Sequence, residues 1–214
     1  MPFLYYYISY ITPASIIIPI IVGVLKFRQL NKPLKVIFWL VVLSGIANAT
    51  NILLIDYYHD RDTTNLFHYY TPIDFAFISV FYSYLFWGRI KKVIVILIVA
   101  LGIFCCINYK YIQNGIQVNT YPETVEAIII IAYSVIYLYK QSSVDLDHSW
   151  EQNPFNWVNI SFLIYYGCGL FMFMATNYLM KASMNVNIIV WSVFDSILVV
   201  ESVLLAIGFY KCRT

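Results

Sequence analysis

Apolar residues fill the 214-residue chain in seven long stretches, which short polar segments separate. A helix needs about 20 mostly apolar residues to cross a bilayer, at a rise of about 1.5 Å per residue. The pattern therefore predicts an all-α, polytopic integral membrane protein with seven transmembrane helices and a single domain over residues 1–214. The predicted spans are 3–25, 36–55, 66–87, 93–109, 121–139, 155–180 and 187–210.

Basic residues are divided unevenly between the gaps, and short loops rich in lysine and arginine remain in the cytoplasm. Ten of the 13 lysine and arginine residues lie in alternate gaps and the C-terminal tail. They are Lys26, Arg28, Lys32, Lys35, Arg89, Lys91, Lys92, Lys140, Lys211 and Arg213. Only Arg61, Lys110 and Lys181 lie in the other gaps. We expect an outside N-terminus, a cytoplasmic C-terminus and a place in the bacterial cytoplasmic membrane.

Composition agrees with a membrane location, since 61% of residues are hydrophobic and 11% are charged, far from the averages of soluble domains. The net charge of +2 therefore does not indicate nucleic-acid binding, and no cofactor motif is found. Tyrosines gather at the predicted outer ends of helices, as in an aromatic belt at the lipid headgroups. They are Tyr5, Tyr6, Tyr7, Tyr57, Tyr58, Tyr69, Tyr70, Tyr109, Tyr111, Tyr121 and Tyr178.

Two acidic residues, Asp195 and Glu201, lie in the last predicted span within about 6 Å of the bilayer midplane along the helix axis. Ionisable side chains are costly in lipid, so they usually face the bundle interior and have a partner there. Six residues of helix turn through about 600°, which leaves the two side chains about 120° apart around the axis. Each acid therefore needs its own neighbours, or the two flank one cavity.

Asp74 in the third span has two interpretations. After Thr71 and Pro72 it fits the first turn of a helix, where it would act as a cap. A helix that begins earlier and contains Pro72 would instead bury Asp74 below the outer surface. Near the start of the fifth span, a capping role is favoured for Glu123, and Glu126 is expected to lie close enough to the helix start to reach water.

Polar residues Ser44, Asn48 and Asn51 form one stripe on the second span, at positions i, i+4 and i+7. Such a stripe either joins helices through hydrogen bonds or lines a polar pocket. The pocket hypothesis places a site in the outer half or centre of the bundle, between the second, third, sixth and seventh helices. Its predicted residues are Asn48, Asn51, His68, Asp74, Asp195 and Glu201.

The longest predicted cytoplasmic loop runs from Lys140 to Pro154 and contains acidic residues close to Trp150. It is either a solvated loop or a docking surface for a cytoplasmic signalling partner. The residues of that docking surface would be Asp145, Asp147, His148, Trp150 and Glu151.

Two familiar classes of seven-helix protein do not fit the sequence. A retinal protein needs a Schiff-base lysine in its last helix, which residues 187–210 lack. A zinc-dependent membrane hydrolase needs converging histidines, but His59, His68 and His148 are spread between an outer loop, a helix and an inner loop. We therefore predict no metal site. Only the first span, with Pro13 and Pro19, is expected to be interrupted in the way that transporter helices often are.

Two segments resemble a known group of proteins. The first segment begins with Asn153-Pro154-Phe155-Asn156-Trp157 and continues to Ile164-Tyr165-Tyr166-Gly167. The second begins at Trp191 and continues to Leu204-Leu205-Ala206-Ile207-Gly208-Phe209. These motifs are similar to those of uncharacterised small seven-helix bacterial membrane proteins of sensor type, often associated with histidine kinases. The resemblance covers the last two helices and implies a sensor or interaction role without naming a ligand.

The sequence favours a receptor-like or accessory membrane protein that senses a small or lipidic ligand in the polar pocket and signals to a cytoplasmic partner. A small transporter or proton- or cation-coupled carrier that uses Asp195 and Glu201 is the first alternative. A membrane-embedded enzyme is the second. Access to Glu201 from both sides would favour transport, whereas an outward pocket above a closed inner half would favour sensing.

Overall fold

The computed structural model describes residues 2–56, 64–113, 117–144, 150–179 and 181–212. This part of the chain is all-helical and contains no β-strand. Six of its helices are long and apolar enough to cross a membrane, which indicates a multi-pass membrane protein. They are Tyr7–Lys26, Lys32–Leu54, Arg89–Ile112, Thr120–Ser142, Pro154–Leu179 and Met184–Lys211.

The α-helices overlap the predicted spans, and their ends differ from the predicted ones by up to about five residues. They are α1 (Pro2–Tyr6), α2 (Thr12–Ala14), α3 (Ile17–Lys26), α4 (Lys32–Asp56), α5 (Thr64–Leu85), α6 (Arg89–Ile107), α7 (Thr120–Val144), α8 (Pro154–Leu179) and α9 (Met184–Lys211). Tyr7–Ile11 and Asn108–Ile112 are π-helical, and Trp150–Gln152 forms a 3₁₀ turn.

The first span is interrupted, as its prolines predict. A π-helical segment precedes the short helix α2, which contains Pro13, and a turn at Ser15 and Ile16 separates α2 from α3. Proline lacks a backbone N–H and crowds the carbonyl four residues earlier, so it disturbs a helix interior. Side chains near this irregular part of the first span form hydrogen bonds to α9. Ser15 Oγ, for example, lies 3.2 Å from Ser202 Oγ.

Six helical segments form a closed ring in the order α3, α4, α5, α7, α8, α9, with α9 returning to α3. The most extensive packing is that of α8 against α7 on one side and α9 on the other. Helix α6 lies outside the ring against α5 and α7, and large apolar side chains along it are exposed, among them Val95, Ile96 and Val99. Lipid is as apolar as a protein core, so such a helix is stable at the edge of a bundle.

Helix α5, which occupies the third predicted span, is not among the six strongly apolar helices. It contacts α4, α6 and α7, so it offers fewer positions to lipid and carries buried polar residues such as His68, Thr71 and Asp74. The helix begins at Thr64, and Pro72 lies inside it. The capping interpretation of Asp74 is therefore wrong, because the residue is in the third turn.

The two ends of the ring differ in packing. The upper end of the ring is the one at which α4 ends and α5, α7 and α9 begin. The opposite end is the lower end. In the lower half, side chains from four ring helices are fully buried in the hydrophobic core. This plug consists of Leu34, Phe81, Tyr82, Val158 and Phe209. The Tyr82 hydroxyl also donates to Asn159 Oδ1 at 2.8 Å and lies 2.8 Å from Ser134 Oγ, which joins α5, α7 and α8.

Gly23 lets α3 approach α4 and α9 closely, since a Cβ atom there would lie 2.3 Å from a ring carbon of Phe38 and 3.3 Å from one of Phe209. We expect Gly23→Ala to destabilise the protein by about 1–3 kcal/mol through overpacking. Gly167→Ala is the matched control, because nothing lies within 4 Å of a Cβ there and alanine favours the helix. Melting temperatures in detergent should fall for the first variant only. Equal melting temperatures for both would contradict the close approach at Gly23.

Candidate functional site

A cavity of about 510 Å³ lies on the ring axis above the plug. Its lining residues on α9 run from Trp191 to Leu205, which corresponds to a depth of about 20 Å at 1.5 Å per residue. On α4 and α5 the lining ends at Ile37 and Ile78, just above the plug. Five of the ring helices, α4, α5, α7, α8 and α9, contribute to the wall, and Ile16 joins them directly before the start of α3. No residue of α6 lines the cavity. Cavities of this size are typical of small-molecule sites.

Asp74 is the centre of a hydrogen-bond network in the cavity wall. Its Oδ1 accepts from the Tyr70 hydroxyl at 3.2 Å, and its Oδ2 accepts from the Tyr166 hydroxyl at 2.5 Å. Tyr70 in turn lies 2.5 Å from Ser44 Oγ on α4. The network therefore ties α4, α5 and α8 together around one buried carboxyl group.

Two acids of α7 face the same space. Asp74 and Glu126 are electrostatic neighbours, and both line the cavity. Glu126 is 3% exposed, and its Oε1 has no hydrogen-bond partner among the described residues. Glu123, one turn above, is half-buried and also lines the cavity.

Glu201 contributes a carboxyl group from α9. It lines the cavity, and its electrostatic neighbours are Asp74 and Tyr165. We call Asp74, Glu123, Glu126 and Glu201 the cavity acids. Within the described ranges, no lysine, arginine or histidine side chain lines the cavity with them.

Aromatic side chains of α8 and α9 form another part of the wall. Tyr165 lies 5.6 Å from Phe194, which lies 5.7 Å from Phe173 and 5.9 Å from Trp191, measured between ring centroids. We call these four residues the aromatic wall, and all four line the cavity. Gly169 permits this packing, because a Cβ atom there would lie 2.9 Å from the Phe173 ring and 3.1 Å from the Phe194 ring.

Four of the six predicted pocket residues line the cavity, namely Asn48, Asn51, Asp74 and Glu201. The buried Oδ1 of Asn51 has no hydrogen-bond partner in the described part of the chain. The prediction that the second, third, sixth and seventh helices form the pocket omitted α7, which supplies two of the cavity acids.

The other two predicted pocket residues lie elsewhere. Asp195 is outside the cavity lining, at the contact between α9 and the first span, and its Oδ2 accepts from Thr12 Oγ1 at 3.4 Å. His68 lies in the upper layer of the bundle, where its Nε2 is 3.0 Å from the carbonyl oxygen of Gln117 and its ring contacts Tyr109. The segment that carries Gln117 also places Val118 in the cavity wall, and Asn177 of α8 bonds both backbone groups of Val118.

Two interpretations made from the sequence are wrong at this site. Tyr70 belongs to the cavity network and not to an aromatic belt, because it points inward while its neighbour Tyr69 is 62% exposed. Glu126 does not reach water from the helix start, because it is buried among ring helices. The distance of Tyr70 and Glu126 from the predicted helix ends does not indicate that either side chain lies inside the bundle.

The predicted docking loop is only partly described. Asp145, Asp147 and His148 lie outside the described residues. Trp150 and Glu151 are exposed and are fixed to the start of α8, since their backbone carbonyls accept from Asn156 Nδ2 at 2.9 Å and from Trp157 Nε1 at 3.0 Å.

In the described ranges, no group of three or more histidine, cysteine, aspartate or glutamate side chains could hold a metal ion. The site combines carboxyl groups, tyrosine hydroxyls and an aromatic wall around one cavity.

No protein family, curated protein or solved structure matches the chain.

Proposed function

We propose that this protein is a receptor-like membrane protein that binds a small ligand in the ring cavity and passes a change in helix packing to a cytoplasmic partner. One observation carries the proposal: a cavity of about 510 Å³ lies between the ring helices, and fully buried plug residues follow its lining about one turn further down the same helices. A carrier needs access to its site from both sides in turn, whereas a sensor needs access from one. The closed lower half favours the sensor.

The proposal includes a topology. All seven predicted spans cross the bilayer, α5 among them, with the N-terminus outside and the lower end of the ring in a bacterial cytoplasm. The distribution of basic residues supports this orientation, since Lys26, Lys32 and Lys140 lie at the lower end. The cavity then faces outward, and the plug lies on the cytoplasmic side.

Signalling would use the connection between cavity and plug. Tyr82 lies two turns below Asp74 on the same helix and bonds to Asn159 on α8, while Tyr166 on α8 bonds to Asp74. A ligand that moves Asp74 relative to Tyr166 therefore acts on the same helix pair that Tyr82 joins. Such a shift requires the ligand to bind one packing better than the other.

Sided cysteine labelling tests this function. In a chain whose four cysteines are replaced by alanine, Asn48→Cys places a thiol in the cavity and Val158→Cys places one in the plug. We expect a membrane-impermeant thiol reagent to label residue 48 in intact cells and not in inverted vesicles. Residue 158 should stay unlabelled in both.

Labelling of residue 48 from both sides would contradict the receptor proposal and support the carrier. Labelling from neither side, in protein that retains its melting temperature, would show that the cavity is closed to solutes and would also overturn the proposal.

A further inference from the structure

The chemistry of the cavity wall identifies a ligand class, an inference that rests on the proposed function. The wall contains four carboxyl groups, those of the cavity acids, and no described basic side chain lines the cavity with them. Carboxyl groups in a low-dielectric space are costly when charged and unpaired. A cationic ligand would supply the partner that the protein itself does not.

The hydrogen-bonding pattern points in the same direction. Glu126 is 97% buried and lines the cavity, yet its Oε1 has no described hydrogen-bond partner. Asn51 Oδ1 is unpartnered as well. Both atoms are acceptors, so the cavity has unused capacity for a ligand that donates hydrogen bonds or carries positive charge.

The rest of the wall suits an organic cation better than a metal ion. The described acids do not form a metal-binding group, and the space of about 510 Å³ greatly exceeds the size of an ion. The aromatic wall offers ring faces, which attract cations and pack against apolar groups. Acids on α5 and α7 line the same cavity as this wall on α8 and α9.

We propose that the ring cavity binds an amphipathic organic cation, such as a lipophilic amine or a quaternary ammonium or phosphonium compound. Its positive group lies among the cavity acids, and its apolar body packs against the aromatic wall. Glu201 is the acid that bridges the two regions, because it lies on α9 with Trp191 and Phe194 and has Asp74 as an electrostatic neighbour.

The test measures binding of radiolabelled tetraphenylphosphonium to the full chain in lipid nanodiscs, with empty nanodiscs as the blank. Tetraphenylborate has the same shape and the opposite charge, so it separates charge from hydrophobicity. We expect saturable binding of the cation and, in separate samples, no saturable binding of radiolabelled tetraphenylborate.

Matched acid variants locate the site. We expect Glu201→Gln to weaken binding about tenfold or more, since loss of one close charge partner typically costs at least 1.4 kcal/mol. Asp195→Asn, an acid of the same helix outside the cavity, should change binding less than twofold. Equal affinity of the Glu201→Gln variant and the native chain, or preferential binding of the borate, would overturn the inference.

The outcomes separate this inference from the proposed function. One-sided labelling of residue 48 together with no binding of tetraphenylphosphonium would refute the cation class and leave the receptor cavity intact. Loss of both the labelling and the binding would refute both.

Discussion

Tyr82→Ala is expected to destabilise the protein by roughly 3–5 kcal/mol, as other large-to-small aromatic substitutions in packed cores do. Tyr82 is fully buried in the plug and contacts the rings of Phe81, Phe86 and Tyr133. The substitution leaves a cavity in the plug and removes the hydroxyl that joins Asn159 to Ser134. Both losses act on the half of the bundle that closes the site.

Tyr84→Ala is the control, because Tyr84 lies on the same helix and is 46% exposed. Tyr82→Phe separates the two losses, since it removes the hydroxyl and keeps the ring, at a cost of about 1–3 kcal/mol for the groups left unpaired. In unfolding titrations in mixed micelles, the free energy of unfolding should therefore be lower for Tyr82→Ala than for Tyr82→Phe. That of Tyr84→Ala should be close to the native value. An equal loss for Tyr82→Ala and Tyr84→Ala would mean that the plug is not packed as described.

Asp74→Ala is expected to have the second large effect. The substitution deprives the hydroxyls of Tyr70 and Tyr166 of their acceptor, and each buried polar group left unsatisfied costs about 1–3 kcal/mol. Removal of an acid from a nonpolar space brings a gain that opposes this loss. The informative quantity is therefore the coupling between Asp74 and Tyr166, not the single change.

A double-mutant cycle measures that coupling. We expect Tyr166→Phe to destabilise the native chain and to have little effect in the Asp74→Ala background, because the bond it removes is already absent. The pair Asp195→Ala and Tyr166→Phe serves as the control and should be additive, since Asp195 bonds to Thr12 instead. Additive losses for Asp74→Ala and Tyr166→Phe would rule out the network at the cavity.

The fold could be predicted in large part because a membrane span needs length and apolarity, both of which the sequence shows directly. Helix α5 is the exception in composition, and its burial explains why. A helix surrounded by other helices needs less apolar surface than one that faces lipid. Two of its polar residues, Thr71 and Asp74, line the cavity.

The site could be predicted only in part, because apolar residues surround helices such as α9 on every side. The angle between Asp195 and Glu201 follows from helix geometry, but the sequence contains no signal for which of them faces the ring axis. In soluble proteins the polar face of a helix marks solvent, whereas in lipid the outer face is as apolar as the core. The structure places Glu201 in the cavity and Asp195 beside Thr12.

Glu126 shows a second limit of the sequence. Its distance from the helix start suggested contact with water, yet neighbouring helices bury it against Asp74. Burial at a helix end depends on what covers that end. Here the segment around Val118 is held against α8 by Asn177, a contact between residues 59 positions apart that no local pattern reveals.

The central claim is that a solute can occupy the ring cavity from the outer side. The most direct test is the rate at which Asn48→Cys reacts with an impermeant thiol reagent in intact cells, with and without tetraphenylphosphonium. We expect the cation to slow the reaction in the chain that retains Glu201 and to have little effect once Glu201→Gln is added. A reaction rate that the cation leaves unchanged in both chains would contradict the claim.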